Sequence, residues 1–161
     1  IGDSSRFSRV IDDLDEGSHE EFWSTLREEL TNRERQTKTS AGVQSESLLK
    51  RFVVIVDELS TVLKSQRAVE VLSTIATRGR SLGFTLILAN QGSSGIPREL
   101  LQNLRCRIAL QSIDPIELVQ LGGSSKKIIA AQPGWVAARL IRNDSEDQDF
   151  KYPLDPLSLT L

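Results

Sequence analysis

Five apolar residues, Phe52-Val-Val-Ile-Val56, run straight into two acids, Asp57 and Glu58. The run is mostly β-branched and has no polar interruption. Such a run suits a strand buried on both faces, as in the parallel sheet of an α/β protein. The carboxyl ends of strands in open α/β sheets are where ligands bind. A carboxylate pair at that edge fits two tasks. Asp57 suits a hard divalent cation such as Mg²⁺, held through water because the ion keeps much of its hydration shell. Glu58 suits proton abstraction from a water as general base. The plainer reading is a core strand followed by two solvated acids, and the stretch up to Ser60 does not choose between them.

Downstream residues add a second strand. Val69, Leu72, Ile75 and Ala76 mark a helix that ends in Arg78-Gly-Arg-Ser-Leu-Gly83. Phe84 to Ala89 is a second apolar run, and it ends in Asn90 and Gln91. Two strands joined by a helix of this length form a βαβ unit. Polar side chains then stand at the same edge of both strands. The first strand has the pattern of a Walker B strand, with Asp57 toward nucleotide-bound Mg²⁺. A polar residue on the neighbouring strand is placed to sense a γ-phosphate or to orient the attacking water.

Taken in order, these segments resemble the motor ATPases of the FtsK/SpoIIIE family in the RecA-like/HerA group. The resemblance is carried by Val53–Glu58, Gly79–Gly83, Leu88–Gly92, the Asn103-Leu-Arg-Cys-Arg-Ile-Ala-Leu110 segment and the Gln-Pro-Gly-Trp-Val stretch at 132–136. It spans roughly residues 20–141 and is nearest in wording to EccC-type ATPases of type VII secretion, then to DNA translocases. It implies an α/β, RecA-like P-loop NTPase core with a mostly parallel sheet flanked by helices. It implies ATP and Mg²⁺ as cofactors, with Glu58 and Gln91 catalytic and Asp57 and Asn90 at the cofactor. It also implies a homo-oligomer, expected as a hexameric ring, that moves DNA or a secreted protein. The expected location is cytoplasmic, at the inner face of a membrane if the parent protein is anchored there.

Three departures qualify that implication. No Gly-x-x-x-x-Gly-Lys-[Ser/Thr] occurs in the chain, so the backbone cradle for phosphates at a helix N-terminus is missing. Gly122-Gly-Ser-Ser-Lys-Lys127 has the letters but not the spacing, and reads as a surface loop. The expectation is a fragment whose first βα unit lies upstream, with natural loss of the P-loop as the alternative. Gly92 stands where the family usually has Arg. The stretch Asp114-Pro-Ile-Glu-Leu-Val-Gln-Leu121 lacks the family's Arg, leaving Arg78, Arg80, Arg105 and Arg107 as candidate arginine fingers. The competing function is a non-catalytic, ATPase-like module that docks a partner or a secretion-substrate peptide.

The 161 residues suffice for one domain with a sizeable core. A net charge of −2 gives no basic excess, so composition implies no general nucleic-acid surface. One Cys and one His exclude a disulfide framework and a Cys/His zinc site, and Cys106 is expected as a small buried residue in a strand. Ser18-His-Glu-Glu21 reads as a capping box opening a helix to about Arg35, with Phe22, Leu26 and Leu30 on its apolar face. Gln36 to Ser47 reads as a loop. Pro97 and Asp114-Pro115 each open a short helix. Arg105–Gln111 and Trp135–Ile141 read as strands. The core is assigned to 1–142, and 143–161 is assigned as a polar tail. Trp23 and Trp135 are expected to pack rather than to stack on bases. Lys126, Lys127, Arg139 and Arg142 are expected on a solvated surface.

Overall fold

The computed structural model describes residues 16–39, 50–111, 113–133 and 135–153, and the chain divides into two compact units. One unit takes in residues up to Val56 and Thr61–Ile87, and the other takes in Asp57–Ser60 and the residues from Leu88 onward. The expectations for 1–15, for the 40–47 part of the loop and for 154–161 lie outside the described residues. No helix among the described residues is long and apolar enough to cross a membrane.

The first unit begins with α1, Glu16–Thr39. It starts before Ser18 and continues past Arg35, so Ser18 is not its N-cap and Gln36 to Lys38 are helical rather than loop. Its Glu, Arg, Leu, Gln and Lys content explains the length. The hydroxyls of Ser24, Thr25, Thr31 and Thr37 each donate to the carbonyl four residues back, which satisfies them within the helix. The buried stripe is Trp23, Leu26, Leu30 and Arg33. Trp23 packs edge-on against Phe22, with ring centroids 5.0 Å apart.

Strand β1, Phe52–Val56, pairs with β2, Phe84–Leu88. The crossover runs through the short α2, Leu59–Val62, and α3, Gln66–Arg78. The Phe52 N–H donates to Gly83 O at the start of both strands, so the pair is parallel, as the βαβ reading requires. Ser65 caps α3 by accepting from Ala68 N. At the other end, a Cβ on Gly79 would lie 2.9 Å from Ile75 Cγ2 and 3.2 Å from Phe84 Cβ. Gly83 then adopts φ 76° to turn the chain into β2. The Arg-Gly-Arg-Ser-Leu-Gly turn is thus one glycine for close approach and one for a left-handed backbone.

β1 departs from two-sided burial. Val54 and Val56 are buried, but Val53 and Ile55 are 57% and 60% exposed. Successive side chains on a strand point to opposite faces. Among the described residues only one face of this pair is covered.

Arg33 ties α1 to the strand starts. It is only 4% exposed. Its guanidinium donates to the carbonyls of Lys50 and Leu82, each at 2.8 Å, and pairs with Glu29 at 2.7 Å. It lies 4.5 Å from the Phe52 ring and 5.0 Å from the Phe84 ring, and those two rings stack on each other.

The second unit holds α4, Arg98–Asn103, then β3, Cys106–Leu110, α5, Pro115–Gln120, β4, Trp135–Arg142, and β5, Ser145–Pro153. Pro97 is the N-cap of α4, and Asp114 caps α5 with Pro115 in the first helical turn. Strands β3, β4 and β5 form an antiparallel sheet in that order. The mostly parallel sheet is therefore corrected: among the described strands there is one parallel pairing, while β3–β4 and β4–β5 are antiparallel. Ser145–Pro153, assigned to a polar tail, is an edge strand. Its polar residues did not advertise it, because an exposed edge strand needs few apolar side chains.

One face of this sheet carries Ala109, Ala137 and Ile141 onto Leu118 and Ile128, the core of the unit. By register, the other face carries Ile108 beside Leu140 and Leu110 beside Ala138 and Phe150. Ile108 is 60% exposed there, and Cys106, expected to be buried, is exposed on the same face. Arg139, expected on the surface, is 5% exposed. It grips Asp149 through two contacts, at 2.6 and 2.9 Å, and donates to the carbonyls of Ser124 and Lys126. Trp135, expected to pack, is exposed at the start of β4.

Two outcomes follow from these buried cations. Arg33→Met should lower unfolding free energy by about 3 kcal/mol, because it leaves two carbonyls unpaired; urea titration of both proteins measures this. The hydrogen bond from Arg139, together with its charge, holds the Asp149 carboxyl below the usual carboxylate range. A depressed acid contributes stability above its unfolded-state pKa and loses it as pH falls through the folded-state value. Asp149→Asn should therefore lower the melting temperature at neutral pH and flatten its decline in acid, as read by thermal scans across the acidic range.

Candidate functional site

The second unit contains the site that the sequence pointed to. β1 delivers Asp57 and Glu58, and β2 delivers Asn90 and Gln91. The parallel register changes where the first segment leaves its strand. Phe52 N bonds Gly83 O, and later Leu59 N bonds Ala89 O at 3.0 Å. Between those bonds the first segment spends one residue more than the second, which is the signature of a bulge. Glu58 absorbs the extra residue with φ 52°, and it is the only non-glycine at positive φ among the described residues. Asp57 Oδ1 accepts from the Glu58 N–H at 3.1 Å, a local bond that helps to hold the turn.

The bulge aims Glu58 at the neighbouring segment. Gln91 Nε2 donates to Glu58 Oε1 at 2.8 Å. Asp57, Glu58 and Gln91 are all exposed, so the carboxylates are open to an incoming ligand. Asn90 behaves differently. Its Oδ1 accepts from Ser60 N at 2.9 Å, and its Nδ2 donates to Gly92 O at 2.6 Å. Asn90, expected at the cofactor, has both ends of its amide engaged by the chain's own backbone.

The loop after Gln91 is anchored to α5. Ser93 N donates to Glu117 Oε1 at 3.2 Å, and the buried Ser93 hydroxyl donates to Gln120 Oε1 at 2.7 Å. A Cβ on Gly92 would stand 2.8 Å from Glu117 Oε1. The space beside Gly92 is thus occupied by the Glu117 carboxylate. Sequence reading missed Glu117 and Gln120, because their partners are backbone and hydroxyl groups more than twenty positions away.

The four candidate fingers separate. Arg107 turns inward: Nη1 donates to Leu101 O at 3.0 Å, Nη2 bonds the Asn143 side chain, and Nε is buried without a partner. Arg78 pairs with Glu34 at 3.1 Å. Among the described residues the guanidinium groups of Arg80 and Arg105 make no hydrogen bond or ion pair, and both residues are exposed. Arg78 and Arg80 belong to the first unit and Arg105 and Arg107 to the second.

Among the described residues no group of three or more His, Cys, Asp or Glu side chains could hold a metal ion. Among the described residues Asp57 belongs to no protein-built cage. A single exposed carboxylate does fit a Mg²⁺ carried by phosphates and touched through water. No Gly-x-x-x-x-Gly-Lys-[Ser/Thr] phosphate cradle occurs in the 161 residues.

No known family's sequence profile matches the chain, and no curated protein matches it in sequence. Solved structures do match in fold. The cytoplasmic domain of the Thermomonospora curvata type VII secretion ATPase EccC superposes with a TM-score of 0.64, at 18% identity, over 84% of this chain and 17% of that one. EssC (ATPases 2 and 3) from Geobacillus thermodenitrificans superposes with a TM-score of 0.68, at 22% identity, over 96% of this chain and 32% of that one. The chain thus has the fold of these ATPase domains and spans less than a third of either structure.

The Gly92–Glu117 contact makes a checkable outcome. Gly92→Ala should displace the Glu117 carboxylate from Ser93 N and destabilise by about 1 kcal/mol. In a Glu117→Ala background the same substitution should be nearly neutral. A denaturation double-mutant cycle reads that coupling.

Proposed function

We propose that the chain is part of an ATP-driven motor core of the FtsK/SpoIIIE type. In this reading Asp57 holds the hydrated Mg²⁺ of MgATP. Glu58 takes a proton from the attacking water, and Gln91 steadies Glu58 and that water at the γ-phosphate end. The observation that carries the reading is the Gln91–Glu58 bond of 2.8 Å at the carboxyl end of a Walker B-like strand, on a fold shared with ATPase domains. Hydrolysis of this kind depends mainly on positioning and charge stabilisation. The reading places the RecA-like core's phosphate cradle in sequence outside the 161 residues. It takes the working form to be a ring-shaped homo-oligomer, expected as a hexamer.

A secreted protein is the favoured cargo over DNA. The matched EccC structure belongs to a type VII secretion ATPase. The net charge of −2, with Arg139 spent on Asp149, offers little to phosphates. The absence of a Gly-x-x-x-x-Gly-Lys within the chain supports a second reading, a non-catalytic module that docks a partner or a substrate peptide.

One comparison separates the two. In a protein that carries these residues together with a P-loop, Glu58→Gln should lower steady-state ATP turnover by about 10²–10⁴-fold, the usual worth of a general base. MgATP affinity, read by calorimetry, should hold. The 161 residues alone should bind MgATP only weakly. Equal turnover of the wild type and Glu58→Gln would make the Asp-Glu pair structural and leave the docking module standing.

A further inference from the structure

We propose that Asn90 is a positioning residue, the splint that sets Glu58 against Gln91, and not a nucleotide ligand. The inference rests on the reading of Glu58 and Gln91 as the water-handling pair.

The bulge at Glu58 creates the need. A regular parallel ladder passes its bonds from backbone to backbone at every second residue. The extra residue moves Leu59 N onto Ala89 O, at 3.0 Å. Ser60 N, the next donor along, then bonds a side chain, Asn90 Oδ1, at 2.9 Å. The other end of the same amide reaches Gly92 O at 2.6 Å. Asn90 therefore brackets Gln91: it is bonded to the segment that follows Glu58 and to the residue that follows Gln91. With the two backbones fixed on either side, a side-chain bond of 2.8 Å between Glu58 and Gln91 needs no further support.

The left-handed backbone at Glu58 makes this arrangement costly to hold by itself. A non-glycine residue in that region is disfavoured by about 1–2 kcal/mol. Such a conformation persists where its surroundings over-determine it. Asn90 is half-buried and supplies two bonds at that place. A shorter side chain at 90 supplies neither. An aspartate keeps the acceptor for Ser60 N and loses the donor to Gly92 O.

The test reads the Glu58–Gln91 bond directly, on the 161-residue chain and without nucleotide. The probe is the NMR signal of the Gln91 side-chain amide hydrogens. Its displacement on Glu58→Ala reports the bond, and the same displacement is then measured in an Asn90→Ala background. The expected result is a clear displacement in the wild-type background that shrinks several-fold once Asn90 is gone. An unchanged displacement, with only a lowered melting temperature, would overturn the proposal and leave Asn90 as packing. No displacement in the wild-type background would also overturn it. If the alanine variant does not fold, Asn90→Asp carries the same comparison: a reduced displacement supports the splint, and a full one overturns it. Since no ATP is involved, the ATPase reading can fail on the Glu58→Gln comparison while this result stands.

Discussion

The Arg33 guanidinium is enclosed by two phenyl rings and two carbonyl oxygens, and both parallel strands begin against it. A buried cation is tolerated only when its donors are spent. Here the carbonyls that spend them belong to Lys50 and Leu82, just before the two strands. The rings belong to Phe52 and Phe84, the first residues of each. One side chain on α1 thus fixes where β1 and β2 start. Each strand then runs five residues. The exposed ion pairs of α1 with α3, Arg67–Glu20 and Arg27–Glu70, are minor contributors by comparison.

At that edge, hydrogen bonding has a clear hierarchy. Backbone and Asn90 contacts tie the two segments, Glu117 and Gln120 tie the loop beyond them, and Asp57, Glu58 and Gln91 are exposed. Preorganised polar groups of this kind are what charge-developing chemistry requires. The covered and uncovered sheet faces tell a parallel story. Among the described residues each sheet buries one face, and the other face carries exposed Val53, Ile55 and Ile87 in the first sheet and Ile108, Leu110 and Phe150 in the second.

The sequence disclosed some of this and hid the rest for physical reasons. The βαβ unit, the capping of α5 by Asp114 and the meeting of the strand ends were readable, since each depends on local residue type and spacing. The left-handed Glu58 was not, because nothing in a glutamate signals positive φ. Arg33 read as one of many charges on a helix, and only its carbonyl and ring partners distinguish it. The backbone bonds of Asn90 were not legible either, because a polar residue at a strand end gives no sign of what its amide will meet. Strand β5 was obscured by its polar composition. The partner that buries Arg139, Asp149, lies in the stretch taken as a tail, so the arginine read as solvated.

Glu58 itself sets a limit on how this chain can be improved. Glycine is the residue that its backbone conformation favours, and a glycine there would relieve the strain of the bulge. It would also delete the carboxylate that Gln91 holds. At this position the backbone favours one residue and the hydrogen bond to Gln91 requires another, so a gain in stability there costs a side-chain contact.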